Sequence, residues 1–261
     1  MRPVITLTTD FGLDDPFVGI MKGVILGICP NAELVDLTHS ISPQNVFQAA
    51  YALQSSAVFF PKNTIHLAVV DPGVGGRRRG IAIKTENYIF VGPDNGIFSS
   101  FLENYQAIEL TNKDYYLKTI SNTFHGRDIF APAAAWLAKG EPFEKLGQTL
   151  KKPIALYFPK TVFENNCLKG NLIYRDRFGN LTSNISATHL KTHFRENIDT
   201  INVHIANHPP ISLASHYGLG EKDSLSALIN SSNQIEIFLK NGNASEAFSI
   251  AVGSSIEITR D

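Results

Sequence analysis

The chain has 261 residues, 43% of them apolar, with 23 basic and 24 acidic side chains and a formal charge of -1 at pH 7. That content fills the core of one large domain or two modest ones. The basic residues are dispersed apart from Arg77, Arg78 and Arg79, and no apolar stretch approaches the roughly 18 residues that span a bilayer, which excludes the footprint of a nucleic-acid binder or a membrane protein.

The chain opens on a strand-like run, residues 3–9, with neither the basic flank nor the apolar core of a signal peptide. Apolar spacing then predicts a helix from Phe17 to Ile28, stopped by Cys29-Pro30-Asn31. A strand follows at Glu33 to Leu37, and a helix at Pro43 to Phe59 with Ser42 and Pro43 as cap and first turn. Strands are predicted at 65–71, 80–85 and 88–91, then the turn Gly92-Pro93-Asp94-Asn95-Gly96, a short helix, and a longer helix from about 127 to 139. This alternation is that of an α/β layered sheet.

After Lys151-Lys152-Pro153 the pattern changes to short strands and tight turns. Strands are predicted at Cys167 to Arg175, Ile201 to Ile205, Ser224 to Ile229, Gln234 to Leu239 and Ser255 to Thr259, which suggests a small β-barrel or sandwich. The expected division is an amino-terminal α/β domain over 1–155 and a smaller carboxyl-terminal β domain over 165–261, with the boundary near 150–165.

Cys29 and Cys167 stand far apart without a CxxC spacing, so two reduced, buried thiols in a cytoplasmic protein are expected. No metal is expected either. Asp10, Asp14, Asp15, Asp71 and His125 have no recognisable ligand spacing, and Arg78 would bring positive charge to a cation site. His189 and His193 lack the glutamate of a zinc-binding helix and read as surface histidines. Asp10-Phe11-Gly12 has no kinase context, Gly73 to Gly76 lacks a phosphate loop's GK[ST] ending, and there is no GxSxG elbow.

What remains is a carboxylate, a guanidinium and an imidazole. The run Asp71-Pro72-Gly73-Val74-Gly75-Gly76-Arg77-Arg78-Arg79-Gly80 follows an apolar strand, which puts Asp71 at its carboxyl end and swings an arginine back towards it. His125 stands just before a helix, beside Gly126, which leaves room for a ligand. Such a set orients a water and manages its proton if the three face one cavity.

The segments TTDFG-x-x-D, VVDPGVG-x-x-RR, GPDNG, TFHGRDIFAP and FGN-x-x-x-N, in this order over nearly the whole chain, resemble the S-adenosyl-L-methionine (SAM) hydroxide adenosyltransferases, or adenosine-forming SAM hydrolases, relatives of the SAM-dependent fluorinase and chlorinase. The resemblance implies an amino-terminal α/β domain, a carboxyl-terminal β-barrel, and a homotrimer with sites between the first domain of one subunit and the barrel of the next. It implies a catalytic set of Asp71, Arg78 and His125, with Asp10 on the ribose hydroxyls. It further implies Asp15, Asp176 and Ser231 at the methionine end, Phe178 and Asn180 at adenine, and Tyr217 stacked on the base.

The halogenating relatives carry tyrosine and serine where this chain has His125-Gly126, and a tyrosine-threonine pattern where it has Asp71 and Val74. A negative Asp71 repels a halide in a desolvated pocket and accepts a hydrogen bond from water. The expectation is hydrolysis of SAM to adenosine and L-methionine with no cofactor, by attack of water or hydroxide on ribose C5′. Either Asp71 or His125 is left as the group that manages the water's proton. A halide adenosyltransferase and a non-catalytic SAM- or adenosine-binding protein are the alternatives.

Overall fold

The computed structural model describes residues 2–194 and 200–260, in two compact units that divide between Leu156 and Tyr157. It is a mixed α/β chain with two sheets. Among the described residues no helix is long and apolar enough to cross a membrane.

In the first unit seven described strands form one sheet: β1 (Val4–Thr9), β2 (Glu33–Thr38), β3 (Thr64–Val69), β4 (Gly80–Lys84), β5 (Tyr88–Pro93), β6 (Gln106–Leu110) and β7 (Gly147–Thr149), in the order β2-β1-β3-β5-β4-β6-β7. β2, β1, β3 and β5 run parallel, while β4 is antiparallel to β5 and β6. The registers Thr9↔Val69 and Gly80↔Pro93 therefore bring four chain ends to one edge of the sheet. These are the ends that lead to Asp10, Asp71, Arg79 and Asp94.

Both faces of this sheet are covered. Helix α1 (Phe17–Ile28) buries Val18, Met21 and Ile25, three residues of one helical face; the last two pack with Ile5, Leu7, Leu67 and the alanines of α3 (Ala131–Lys139). The other face packs Ala68, Val70, Ile81 and Phe90 against Ala49 and Leu53 of α2 (Val46–Ser56).

Two predicted helices have different bounds. The helix expected from Pro43 starts at Val46, because Gln44 adopts φ 65° and Asn45, not Ser42, caps it by accepting the Gln48 N–H. The helix expected from about 127 opens with a π-turn, Gly126–Phe130, before α3. Pro132 has no N–H for the Asp128 carbonyl, which accepts from Leu117 N at 3.0 Å instead.

His66 in β3 is fully buried, 2.8 Å from Thr6 Oγ1 through Nδ1 and stacked on Phe90. Burial pushes its pKa down from 6.5 to about 4. Between those values the unfolded chain binds a proton that the folded chain does not, so stability falls as pH drops, by about 3 kcal/mol once pH 4 is reached. Urea unfolding from pH 7 to pH 4 checks this: the decline should flatten in His66→Phe, and an identical decline in both proteins rules His66 out.

The second unit holds β8 (Val162–Glu164), β9 (Cys167–Arg175), β10 (Leu181–Ser186), β11 (Ile201–His204), β12 (Ile211–Ser212), β13 (Leu225–Ile229), β14 (Gln234–Leu239) and β15 (Ser255–Arg260), with helices α4 (Ala187–Phe194) and α5 (Ala244–Ala247). The order is β12-β11-β15-β9-β10-β14-β13, with β8 beside β9. Just after β12, Leu213 bridges to Ala227 of β13, and Ala214 N–H donates to the Ala227 carbonyl at 2.7 Å. The two ends of the strand order thus meet around a core of Leu168, Leu181, Ile185, Val203, Ile237 and Ile258. Cys29 and Cys167 are buried free thiols, as expected from their spacing.

Candidate active site

Asp71 stands two residues past the end of β3, and the Asp71–Gly76 turn returns the chain so that Arg78 faces it. Arg78 Nε donates to both carboxylate oxygens, at 2.9 and 3.0 Å, and Arg78 Nη2 donates to Asp71 Oδ2. The same Nη2 lies 2.7 Å from His125 Nδ1. Phe130 backs the guanidinium with its ring centroid 5.1 Å from Cζ. One arginine thus holds the carboxylate and the imidazole together.

The turn is shaped by glycine at Gly75, where φ is 74° and a Cβ would lie 2.2 Å from the Asn122 carbonyl oxygen. That close approach lays the turn against the segment before His125. Gly126 is closely packed: a Cβ there would meet Phe124 Cε2 at 3.2 Å, Met21 Sδ at 3.3 Å and Val69 Cγ1 at 3.4 Å, so its Cβ position faces neighbouring side chains, where the sequence suggested room for a ligand.

Arginine can only donate, so His125 Nδ1 must be the acceptor and the neutral ring carries its proton on Nε2. Burial and the Arg78 charge push the imidazole below its ordinary pKa, against the weaker pull of Asp71 and Asp128. Neutral His125 in this arrangement has no free lone pair. It offers an Nε2–H donor, while Asp71 keeps lone pairs beyond those that Arg78 occupies.

Asp10 leaves the end of β1, next to β3, and its Oδ2 accepts the Gln44 N–H at 2.8 Å. Gln44 itself adopts φ 65°. Phe11, Phe17 and Phe124 pack edge to face at 5.3–5.9 Å between centroids and join the Asp10 loop to the segment before His125. Asp15 is exposed on the approach to α1.

The remaining predicted residues lie in the second unit. Asp176, Phe178 and Asn180 share one turn: Asp176 Oδ1 accepts the N–H groups of Phe178 and Asn180, both at 2.9 Å, and its Oδ2 accepts Asn180 Nδ2 at 3.1 Å. Asp176 is thus the structural anchor of that turn, and it leaves the Phe178 ring 75% exposed. Tyr217 donates to Glu236 Oε1 at 2.7 Å, and burial together with that carboxylate holds its phenol well above its ordinary pKa. Ser231 is exposed in the turn between β13 and β14.

Sequence reasoning gave no role to Asp94, Asn95, Asp128 or Glu236. Asp128 is fully buried, accepts Ser121 N at 2.7 Å and both Arg127 donors, and so fixes the segment before His125. It lay inside a quoted motif, which was a signal. Glu236 gave none: alternation in Gln234-Ile235-Glu236-Ile237 reads as a solvent-facing position. It is 5% exposed and bound by Tyr217, Asn230 and Thr182. Among the described residues no group of three or more His, Cys, Asp or Glu could hold a metal ion.

A mixed sheet followed by a second β unit is the arrangement of a two-domain α/β protein, and the chain belongs to the SAM hydroxide adenosyltransferase family, whose N-terminal domain matches residues 5–147 and whose C-terminal domain matches residues 170–257. A Salinispora tropica protein named (R)-S-adenosyl-L-methionine hydrolase is 32% identical over 263 residues, 98% of each chain. A fluorinase of an Actinoplanes species is more distant, 27% identical over 220 residues that cover 73% of this chain and 74% of its own. The crystal structure of an uncharacterized conserved protein from Thermotoga maritima matches with a TM-score of 0.91 and 36% identity, covering 98% of this chain and all of that one.

Proposed function

We propose that the protein hydrolyses SAM to adenosine and L-methionine, with the first unit an α/β sandwich, the second a small β-barrel, and no metal or cofactor. The observation that carries this reading is the Asp71–Arg78–His125 chain in a member of this family. Water attacks C5′ in line with the sulfonium, the new O–C5′ bond forms as C5′–S breaks, and the electron pair goes to sulfur as methionine leaves neutral. One proton is released. Because the sulfonium already activates the carbon, the residues need to align the nucleophile at about 3–3.5 Å and shed its water.

Asp71 orients the water and takes its proton, Arg78 holds Asp71 in place, and the Nε2–H of His125 donates to the oxygen. The tautomer that Arg78 favours supports this division. Asp10 holds the ribose hydroxyls, an acceptor facing two donors. Asp15, Asp176 and Ser231 serve the methionine end, Phe178 and Asn180 the adenine, and Tyr217 stacks on the base. We further propose a homotrimer in a cytoplasmic setting, with each site shared between subunits and a small molecule as the only partner.

The test is turnover of SAM by the purified protein in the presence of a chelator, with and without chloride or fluoride. Adenosine and methionine should form in equal amounts, insensitive to chelator and halide. A 5′-halo-adenosine product would establish the halide adenosyltransferase instead, and retention of SAM without products the binding protein. Sedimentation as a monomer with full activity would contradict the shared site.

A further inference from the structure

We propose that Asp94 and Asn95 are positioning residues for the Asp71–Arg78 pair, each acting through the residue next to one member of it. The proposal rests on the hydrolase reading for its kinetic readout and on geometry alone for its second. Asn95 Nδ2 donates to the Val70 carbonyl at 2.8 Å, one residue before Asp71. Asp94 N–H donates to the Arg79 carbonyl at 2.9 Å, and Asp94 Oδ2 accepts Arg79 Nε at 2.7 Å, one residue after Arg78. The turn after β5 thereby grips both flanks of the pair.

This is not a solvated surface turn. Asp94 is 1% exposed, and its other oxygen accepts the Ile154 N–H at 2.7 Å. The end of β5 that leads into this turn lies hard against β3, since a Cβ on Gly92 would stand 2.2 Å from the Ala68 carbonyl oxygen. A carboxylate buried this deeply needs its partners, and it takes Arg79 as the charged one.

Three consecutive arginines give Asp71 three guanidiniums to choose from. Arg77 is exposed, Arg79 is held by Asp94, and only Arg78 reaches Asp71. Asp94 therefore sets which arginine enters the site, and Asn95 fixes the height of the chain that carries Asp71. Losing either lets the pair drift, and errors of about 1 Å cost on the order of a hundredfold in rate.

Asp94→Asn keeps an oxygen for the Ile154 N–H and removes the charge that holds Arg79. We expect kcat to fall about 10- to 30-fold with KM within about threefold, and the Asp94→Asn/Arg79→Gln double variant to regain most of the loss, because no unpaired guanidinium then competes for Asp71. Asn95→Ala, which leaves every charge in place, should lose about tenfold in kcat. In parallel, the Nε–H resonance of Arg78 in 15N-arginine-labelled protein should lose its protection from solvent exchange in both single variants.

That resonance needs no turnover, so it decides the proposal even if the wild-type protein fails to hydrolyse SAM and the functional reading falls. Unchanged kcat and an unchanged Arg78 signal in folded Asp94→Asn and Asn95→Ala proteins would overturn it. So would an equal loss in the double variant with the Arg78 signal intact, since Asp94 would then act on the fold and not on the pair. If Asp94→Asn does not fold, Asn95→Ala carries the same two readouts.

Discussion

Asp71→Asn is expected to bind SAM and to hydrolyse it about 10²–10⁴-fold more slowly than the wild-type protein. The side chain keeps its size, so the loss is one of charge and of acceptor symmetry. Arg78 donates to both Asp71 oxygens. An amide turns one of those positions into a donor that faces another donor, and the fork lets go. Its remaining oxygen still accepts a hydrogen bond from water but takes up no proton at neutral pH. Equilibrium binding of SAM beside single-turnover rates separates the two effects, and full turnover by the folded variant would remove Asp71 from the mechanism.

Arg78→Lys should lose about 10²–10³-fold although the formal charge is unchanged. The guanidinium serves Asp71 through Nε and Nη2, reaches His125 with the same Nη2, and lies over Phe130. An ammonium is a point charge on a flexible stem. It reaches the carboxylate or the imidazole, not both in this plane, and His125 is then free to place its proton on either nitrogen. The loss should fall on kcat more than on KM if, as proposed, Arg78 acts through its bonds to Asp71 and His125. Wild-type kcat in Arg78→Lys would mean that charge alone matters there.

The acid limb of the rate profile offers a check on the same geometry. Protonated His125 cannot accept from Arg78, so activity is lost as pH falls through the histidine's pKa. That pKa is held below 6.5 by burial and by Arg78, and the limb should lie below 6.5 accordingly.

Regular elements with a clear period were legible in the sequence. Phe17–Ile28, Cys167–Arg175 and Gln234–Leu239 have the bounds that their spacing suggests. What escaped was set by partners distant along the chain. Ser42-Pro43 looks like a helix start, but Gln44 adopts a positive φ with its N–H bonded to Asp10, thirty-four residues earlier, and the helix starts at Val46. Leu181–Ser186 is too polar to read as a strand, and its place in the sheet rests on pairing with β9 and β14. Asp71 and an arginine were readable as candidates from the turn after an apolar strand and His125 from its place just before a helix, while the choice of Arg78 among three arginines came with the family resemblance. That one nitrogen of Arg78 serves both partners, and that this fixes the tautomer of His125, follows only from distances.

The central claim is that water oxygen ends on C5′ of the ribose. Turnover in water enriched in oxygen-18, with both products analysed by mass spectrometry, tests it most directly. The account predicts adenosine carrying one heavy oxygen at its 5′-hydroxyl and methionine carrying none. Methylthioadenosine with labelled homoserine, or adenosine without the label, would contradict it.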